Sequence, residues 1–228
     1  MATNFWASTH YKILLDQEEV DVVPNLDRER GITLDDFKLI KLRMTNYIAK
    51  LAQNVKVRQR VVATAVTYMR RVYTRKSMTE YDPRLLAPSC LYLAAKSEES
   101  TIQARLLVFY IKKFYADEKY RCEIKEILEM EMKILEALNY YLVVFHPYRA
   151  LSQLVQDAGM SDATQLTWGL VNDTVLKEKE NTAWFEDLRV DMNVVKNIAM
   201  EILDFYDAHK MITEDRVNAA MHKLTMRT

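Results

Sequence analysis

The stretch "DPRLLAPSCLYLAAKSEES", residues 82–100, decides the fold. From Leu85 to Ala95 it offers no polar face of useful width. A helix that is apolar all round must be enclosed by other helices. Asp82 and Pro83 suit an N-cap and a first turn. Pro88 removes one backbone hydrogen bond and is expected to bend the early part of the helix. The stretch then ends abruptly in charge, with Lys96, Glu98 and Glu99. A core helix that finishes this way has to reach a surface.

The flanking sequence supplies the enclosure. "GITLDDFKLIKLRMTNYIAKLAQNV" starts with Thr33 as a cap and Asp35 and Asp36 at the positive end of the helix dipole. Phe37, Ile40, Met44, Ile48 and Leu51 recur there at helical spacing. In "VRQRVVATAVTYMRRVYTRK", Val61, Ala65, Tyr68 and Val72 mark the buried side. A fourth helix is expected from near Thr101 in "TIQARLLVFYIKKFY", and a fifth from about Cys122 to Asn139. Five helices thus fall in about a hundred residues, the third at the centre, and the spacing predicts an all-α bundle.

The fifth helix holds a misfit. Ile124, Ile127, Leu128, Ile134, Leu135 and Leu138 define its apolar stripe, yet the stripe passes through Glu131. An isolated buried carboxylate is very costly, so Glu131 needs a partner or an opening. Lys96 is the natural counter-charge. The pair either satisfies itself internally or reaches the surface to meet another protein, and periodicity alone leaves both readings open.

Beyond residue 145 the pattern restarts. "VVFHPYRAL" places His146 and Pro147 at a new helix start, and helical patterns follow to a last short helix capped by Thr213. "MEMKILEALNYY" and "IAMEILDFYDAH" form a weak internal repeat, which suggests two copies of one five-helix unit.

Composition excludes several function classes. Lys plus Arg number 32 and Asp plus Glu 32, so there is no net pull toward nucleic acid or an anionic membrane. No stretch of about eighteen uninterrupted apolar residues exists, so no membrane partner is expected. Only three glycines occur, Gly31, Gly159 and Gly169, too few and too scattered for a phosphate-binding loop. His10, His146, His209 and His222 lack metal-ligand spacing. Cys90 and Cys122 read as reduced core thiols. Neither a catalytic site nor a cofactor is expected.

"RQRVVATAVTYMRRVYTRKSMTEYDPRLLAPSCLYLAAKSEES", together with "LEMEMKILEALNYYLVVFHPYRAL", resembles the first cyclin box of the transcriptional cyclins. "NFWASTHYKILLD", "VVFHPYR" and "WGLVNDT" are similar to the C-type branch of that family in wording and order. The resemblance covers nearly the whole chain. It implies a two-repeat cyclin fold: an N-terminal segment at 1–32, a first box at 33–145, and a second box with a C-terminal helix at 146–228. It implies a regulatory subunit of a cyclin-dependent kinase, for the C-type branch the kinase of the Mediator complex, with other subunits of the Mediator kinase module as further partners and a nuclear location. Carried over residue by residue, Lys96 and Glu131 face the kinase αC helix, Glu98 and Glu99 lie at the same interface, and Trp6 is a weaker candidate for contact with a further Mediator subunit.

Two departures from the family stand out. "LIKLRMTNYIAKL" does not match the substrate-docking sequence of cell-cycle cyclins, so that activity is not implied. "GLVNDT" runs directly into "VLKEKENTAWFEDL", where the family carries about twenty further residues that include an apolar central helix. "KEKEN" is too charged and too short for that role. The first repeat is therefore expected to be complete and the second to lack its central helix, with residues after about 146 more protease-sensitive than 33–145. A rival reading takes Arg58, Arg60, Arg70, Arg71, Arg75 and Lys76 as a DNA-binding face, as in cyclin-fold general transcription factors, and the balanced charge argues against it.

Overall fold

The computed structural model describes residues 22–116, 120–157, 164–176 and 212–225, together with residues 5, 159, 162, 197, 200, 202, 203 and 206. All regular structure among them is helical. The elements are α1 (Asn25–Glu29), α2 (Leu34–Val55), α3 (Gln59–Tyr73), α4 (Pro83–Ser97), α5 (Ala104–Phe114), α6 (Ile124–Ala137), α7 (Tyr148–Asp157), α8 (Thr164–Leu176) and α9 (Glu214–Thr225).

The central helix is α4. Asp82 caps it by accepting the N–H of Arg84 at 2.9 Å. The helix runs through Pro88 as one element, and every residue from Leu86 to Ala95 is buried. It packs against α2, α3, α5 and α6, so the enclosure expected from its apolar sequence is present. Full burial of a large apolar side chain such as Leu86 or Leu91 is worth about 1.5–3 kcal/mol.

Each surrounding helix has a local reason to begin where it does. Thr33 and Asp36 form a capping box: the Asp36 N–H donates to Thr33 Oγ1, and the Thr33 N–H donates to Asp36 Oδ2. Glu123 and Glu126 form an equivalent box at α6, where the Glu123 N–H donates to Glu126 at 2.7 Å. α5 begins at Ala104 rather than near Thr101, behind an extended Gln103. Ahead of α2, the short α1 turns at Gly31, whose φ of 74° suits glycine. Asp27 of α1 is wholly buried and accepts the N–H groups of Met78 and Thr79, both at 2.9 Å. That carboxylate ties α1 to the loop before α4.

The predicted core positions of α2 and α3 are all buried. The stripe on α6 is narrower than its sequence suggests. Leu128 is 41% exposed, while Met130 is buried. The wall that α6 meets runs along Ile127, Met130, Glu131 and Ile134, and Leu128 turns away from it.

Past the linker, α7 and α8 pack on each other, and α8 lies against α3. Tyr148 stacks on Trp168 with ring centroids 4.9 Å apart, and its hydroxyl donates to Asn172 Oδ1. α9 returns to the first repeat and packs on α2. The expectation that the second repeat lacks its central helix concerns residues 177–196, which lie outside the described residues.

Candidate functional site

The end of α4 brings Lys96 and Glu131 together. Lys96 Nζ donates to both carboxylate oxygens of Glu131, at 2.8 and 2.9 Å, and lies 4.4 Å from the centre of the Tyr92 ring. Burial at Lys96 works against the charged amine, but the hydrogen bonds and charge of Glu131 outweigh it, so the amine stays above its ordinary value. The two partners differ in exposure. The Lys96 side chain is 43% exposed and that of Glu131 only 10%. The pair therefore sits at the rim of the core with its cation turned outward.

The helices packed against the end of α4 also carry exposed apolar side chains. Leu106 and Phe109 on α5, and Leu128 and Met132 on α6, are all exposed, Phe109 to 60%. Leu128 lies one turn before Glu131, and Met132 lies beside it. Exposed apolar groups on the helices that carry and adjoin a half-open ion pair have the make-up of a protein-docking surface.

Glu98 and Glu99 part company. Glu98 accepts from Thr64 Oγ1 at 2.8 Å and pairs with Arg60 Nε at 2.7 Å. The same Thr64 hydroxyl meets His146 Nε2 at 2.7 Å. Burial, aided by the charges of Arg60 and Arg71, lowers the His146 pKa to about 4, so the ring is neutral at pH 7. A neutral Nε2–H donating to Thr64, with Thr64 donating on to Glu98, satisfies every group in this row. Tyr68 adds a parallel tie: its hydroxyl donates to the Leu142 carbonyl at 2.6 Å and lies 3.0 Å from Ser97 Oγ. Glu98 thus fastens the end of α4 to α3 and the linker.

Glu99 closes the helix in the left-handed region, with φ of 55°. The Ser100 N–H reaches back to the Ala95 carbonyl at 2.8 Å. This end geometry is usually given to glycine. Here it carries an exposed carboxylate.

Of the sequence-derived site residues, Lys96 and Glu131 meet directly, Glu98 and Glu99 follow on the same helix end, and Trp6 lies outside the described residues. Sequence reasoning missed Thr64, Tyr68 and His146. Thr64 carried the same signal as Glu131, a polar residue in an apolar stripe, in a form easily read as merely small. The basic run along and just after α3 is partly spent within the fold. Arg60 binds Glu98, Arg75 donates to the Ala137 carbonyl, and Lys76 lies over the Tyr81 ring. Among the described residues no cluster of metal-binding side chains occurs, and no helix is long and apolar enough to cross a membrane.

The profile described as "Cyclin, N-terminal domain" matches residues 14–143. The chain is 64% identical to Cyclin-C1-2 of Arabidopsis thaliana, over 98% of both chains. The chain belongs to the cyclin family, in its C-type branch. It is 63% identical to Cyclin-C1-1 of Oryza sativa, again over 98% of both. It is 34% identical to Cyclin-C of Rattus norvegicus, over 97% of this chain and 89% of that one. These matches run over 249 to 254 positions, more than the 228 residues present here, so the relatives carry positions that this chain lacks. The fold is shared with a chain of the Chaetomium thermophilum CAK complex bound to ATP-gamma-S, at a TM-score of 0.62 and 15% identity, over 96% of this cyclin and 78% of that chain. It is also shared with a chain of the yeast TFIIK complex, at 0.56 and 17%, over 96% and 98%. As a cyclin, the chain is a regulatory subunit of a cyclin-dependent kinase and not itself an enzyme.

Proposed function

We propose that this cyclin binds and activates the cyclin-dependent kinase of a Mediator kinase module, and so regulates transcription by RNA polymerase II in the nucleus. Its kinship with relatives named cyclin C supports the choice of kinase. The observation that carries the docking site is the ready-made Lys96–Glu131 pair at the open end of a buried helix, with exposed Leu106, Phe109, Leu128 and Met132 on α5 and α6. An active kinase needs its strand lysine paired with a glutamate on αC. A cyclin that binds only the inward position of αC shifts the equilibrium by its difference in affinity for the two states.

The pair suits that task without being broken. An ammonium has three donors, and Lys96 spends two on Glu131. The third leans on Tyr92, and the remaining lone pairs of Glu131 are left for backbone and side chains of αC. Glu99 adds an exposed charge beside them. Glu98 belongs to the same surface, with its carboxylate already held by Arg60 and Thr64. Because all four residues lie in the first repeat, kinase binding survives a second repeat that lacks its central helix. The additional aligned positions in the relatives and the charged "KEKEN" run support that shortening.

Co-expression with the kinase tests the proposal. Replacing Lys96 and Glu131 together by Ala removes charge-assisted bonds worth about 1.5–3 kcal/mol each and should weaken co-purification at least tenfold at unchanged helical content. Phe109→Asp should do the same through the apolar part of the surface. Undiminished co-purification of both variants overturns the assignment. A salt-dependent shift of duplex DNA by the chain alone would favour the rival reading.

A further inference from the structure

Between Ser89 and Lys96, α4 carries one strongly polar side chain, the phenol of Tyr92. Ser89 is satisfied on its own helix, where its hydroxyl donates to the Leu85 carbonyl at 2.8 Å. Tyr92 is only 9% exposed and forms part of the core around α4. A phenylalanine would fill that place as well, and a phenol set so deep needs a partner for its hydroxyl. The anomaly is of the kind that Glu131 poses on α6, a polar group in a wall of apolar ones.

The partner is Lys96. The two residues stand one turn apart on one face of α4. Helical side chains lean toward the N-terminus, so Lys96 reaches back over Tyr92. Its ammonium lies 4.4 Å from the ring centre, where the negative face of the ring attracts a cation. Burial opposes the charge, and a hydrogen bond with the phenol joins those of Glu131 in keeping the amine protonated. Lys96 is thus held from two helices, by Tyr92 beneath it on α4 and by Glu131 across from it on α6. A lysine needs such a hold, because its stem is flexible and its head strongly hydrated. With a side chain 43% exposed, an ammonium tied to one carboxylate alone would be free to swing out to water. Glu131 would then lose the cation that fixes its orientation.

We propose that Tyr92 is the positioning residue of the docking pair: it holds the Lys96 ammonium back over α4, so that both Glu131 oxygens are engaged and the carboxylate presents its remaining lone pairs to the partner in one orientation. This rests on the kinase reading given above. It adds that the pair is set before the partner arrives, so the lysine is already ordered when binding begins.

Two measurements test it. The first uses the chain alone. Proton exchange between the Lys96 ammonium and water, read from its NMR signal, should be about threefold faster or more in Tyr92→Phe, which keeps the ring and loses the hydroxyl. Tyr73→Phe removes another buried hydroxyl, the one that donates to the Tyr81 carbonyl at 2.9 Å, and should leave that exchange unchanged. The second is a double-mutant cycle on kinase affinity. Tyr92→Phe should weaken binding about threefold in the parent chain and not at all in Lys96→Met, where there is no ammonium to hold. A residue that served only the core would act alike in both. Unchanged ammonium exchange in Tyr92→Phe, or an affinity effect that is the same in the two backgrounds, overturns the proposal. Should Lys96→Met bind the kinase as well as the parent chain does, the kinase reading itself fails; the exchange measurement, made without the kinase, still decides whether Tyr92 holds Lys96.

Discussion

Removing the charge of Lys96 and removing that of Glu131 should have unequal costs, and the inequality follows from exposure. At 2.8 Å and an effective dielectric constant of about 20, the pair gains about 6 kcal/mol of Coulomb energy, before desolvation takes back most of it. What remains after a substitution depends on the survivor. In Lys96→Met, the Glu131 carboxylate stays in a nearly closed site with no cation. Breaking fully buried pairs this way costs about 3–5 kcal/mol, and a site at the rim should cost about 2–3 kcal/mol. In Glu131→Gln, the amide keeps the shape and an acceptor oxygen, while the half-exposed ammonium turns to water. That change should cost about 1 kcal/mol or less. Urea unfolding of the chain alone at pH 7, followed by circular dichroism, measures both. Kinase affinity should fall in both variants, since each removes a group that faces the partner. Equal unfolding costs, or a larger cost for Glu131→Gln, would refute the placement of the carboxylate as the buried member.

Three further outcomes are expected. Glu99→Gly should stabilise the chain by about 1 kcal/mol by relieving a left-handed backbone position, yet weaken kinase binding by removing a surface charge; Lys56→Gly, at φ 58°, should give the stabilisation without the binding loss, as thermal unfolding and a pull-down will show. Because the His146 pKa is about 4 in the folded chain and near 6.5 unfolded, the unfolded state takes up the proton first: stability should be unaffected above pH 6.5 and fall by about 3 kcal/mol as pH drops toward 4. His146→Gln should abolish that fall in a pH series of unfolding curves. Asp27→Ala leaves the buried N–H groups of Met78 and Thr79 without an acceptor and should cost about 2–4 kcal/mol, read from the shift in urea midpoint.

The sequence made the central helix legible because burial on all sides leaves no polar face to hide. Glu131 was legible for the opposite reason, since one carboxylate in an apolar stripe demands an explanation, and Lys96 stood ready to give it. Leu128 misled because periodicity marks a direction and not the width of the wall opposite. Thr64 and His146 stand 82 positions apart, and nothing local shows that one hydroxyl serves both the linker and Glu98. The docking of α9 was invisible for a related reason. An amphipathic pattern says that a helix needs a floor but not which floor, and Lys223 and Asp36 look like ordinary surface charges until they meet.

The two hydroxyls of α3 carry a wider consequence. Tyr68 holds the Leu142 carbonyl, and Thr64 holds His146 and Glu98, so the linker and the end of α4 are mounted on one rod. In mechanical terms α3 is an axle: the partner-facing helix end is fixed to it at one side and the later helices hang from it at the other. Lengthening or shortening the chain between α8 and α9 changes the load on the axle without moving its bearings. Length can then change between α8 and α9 while the surface that meets the partner keeps its shape.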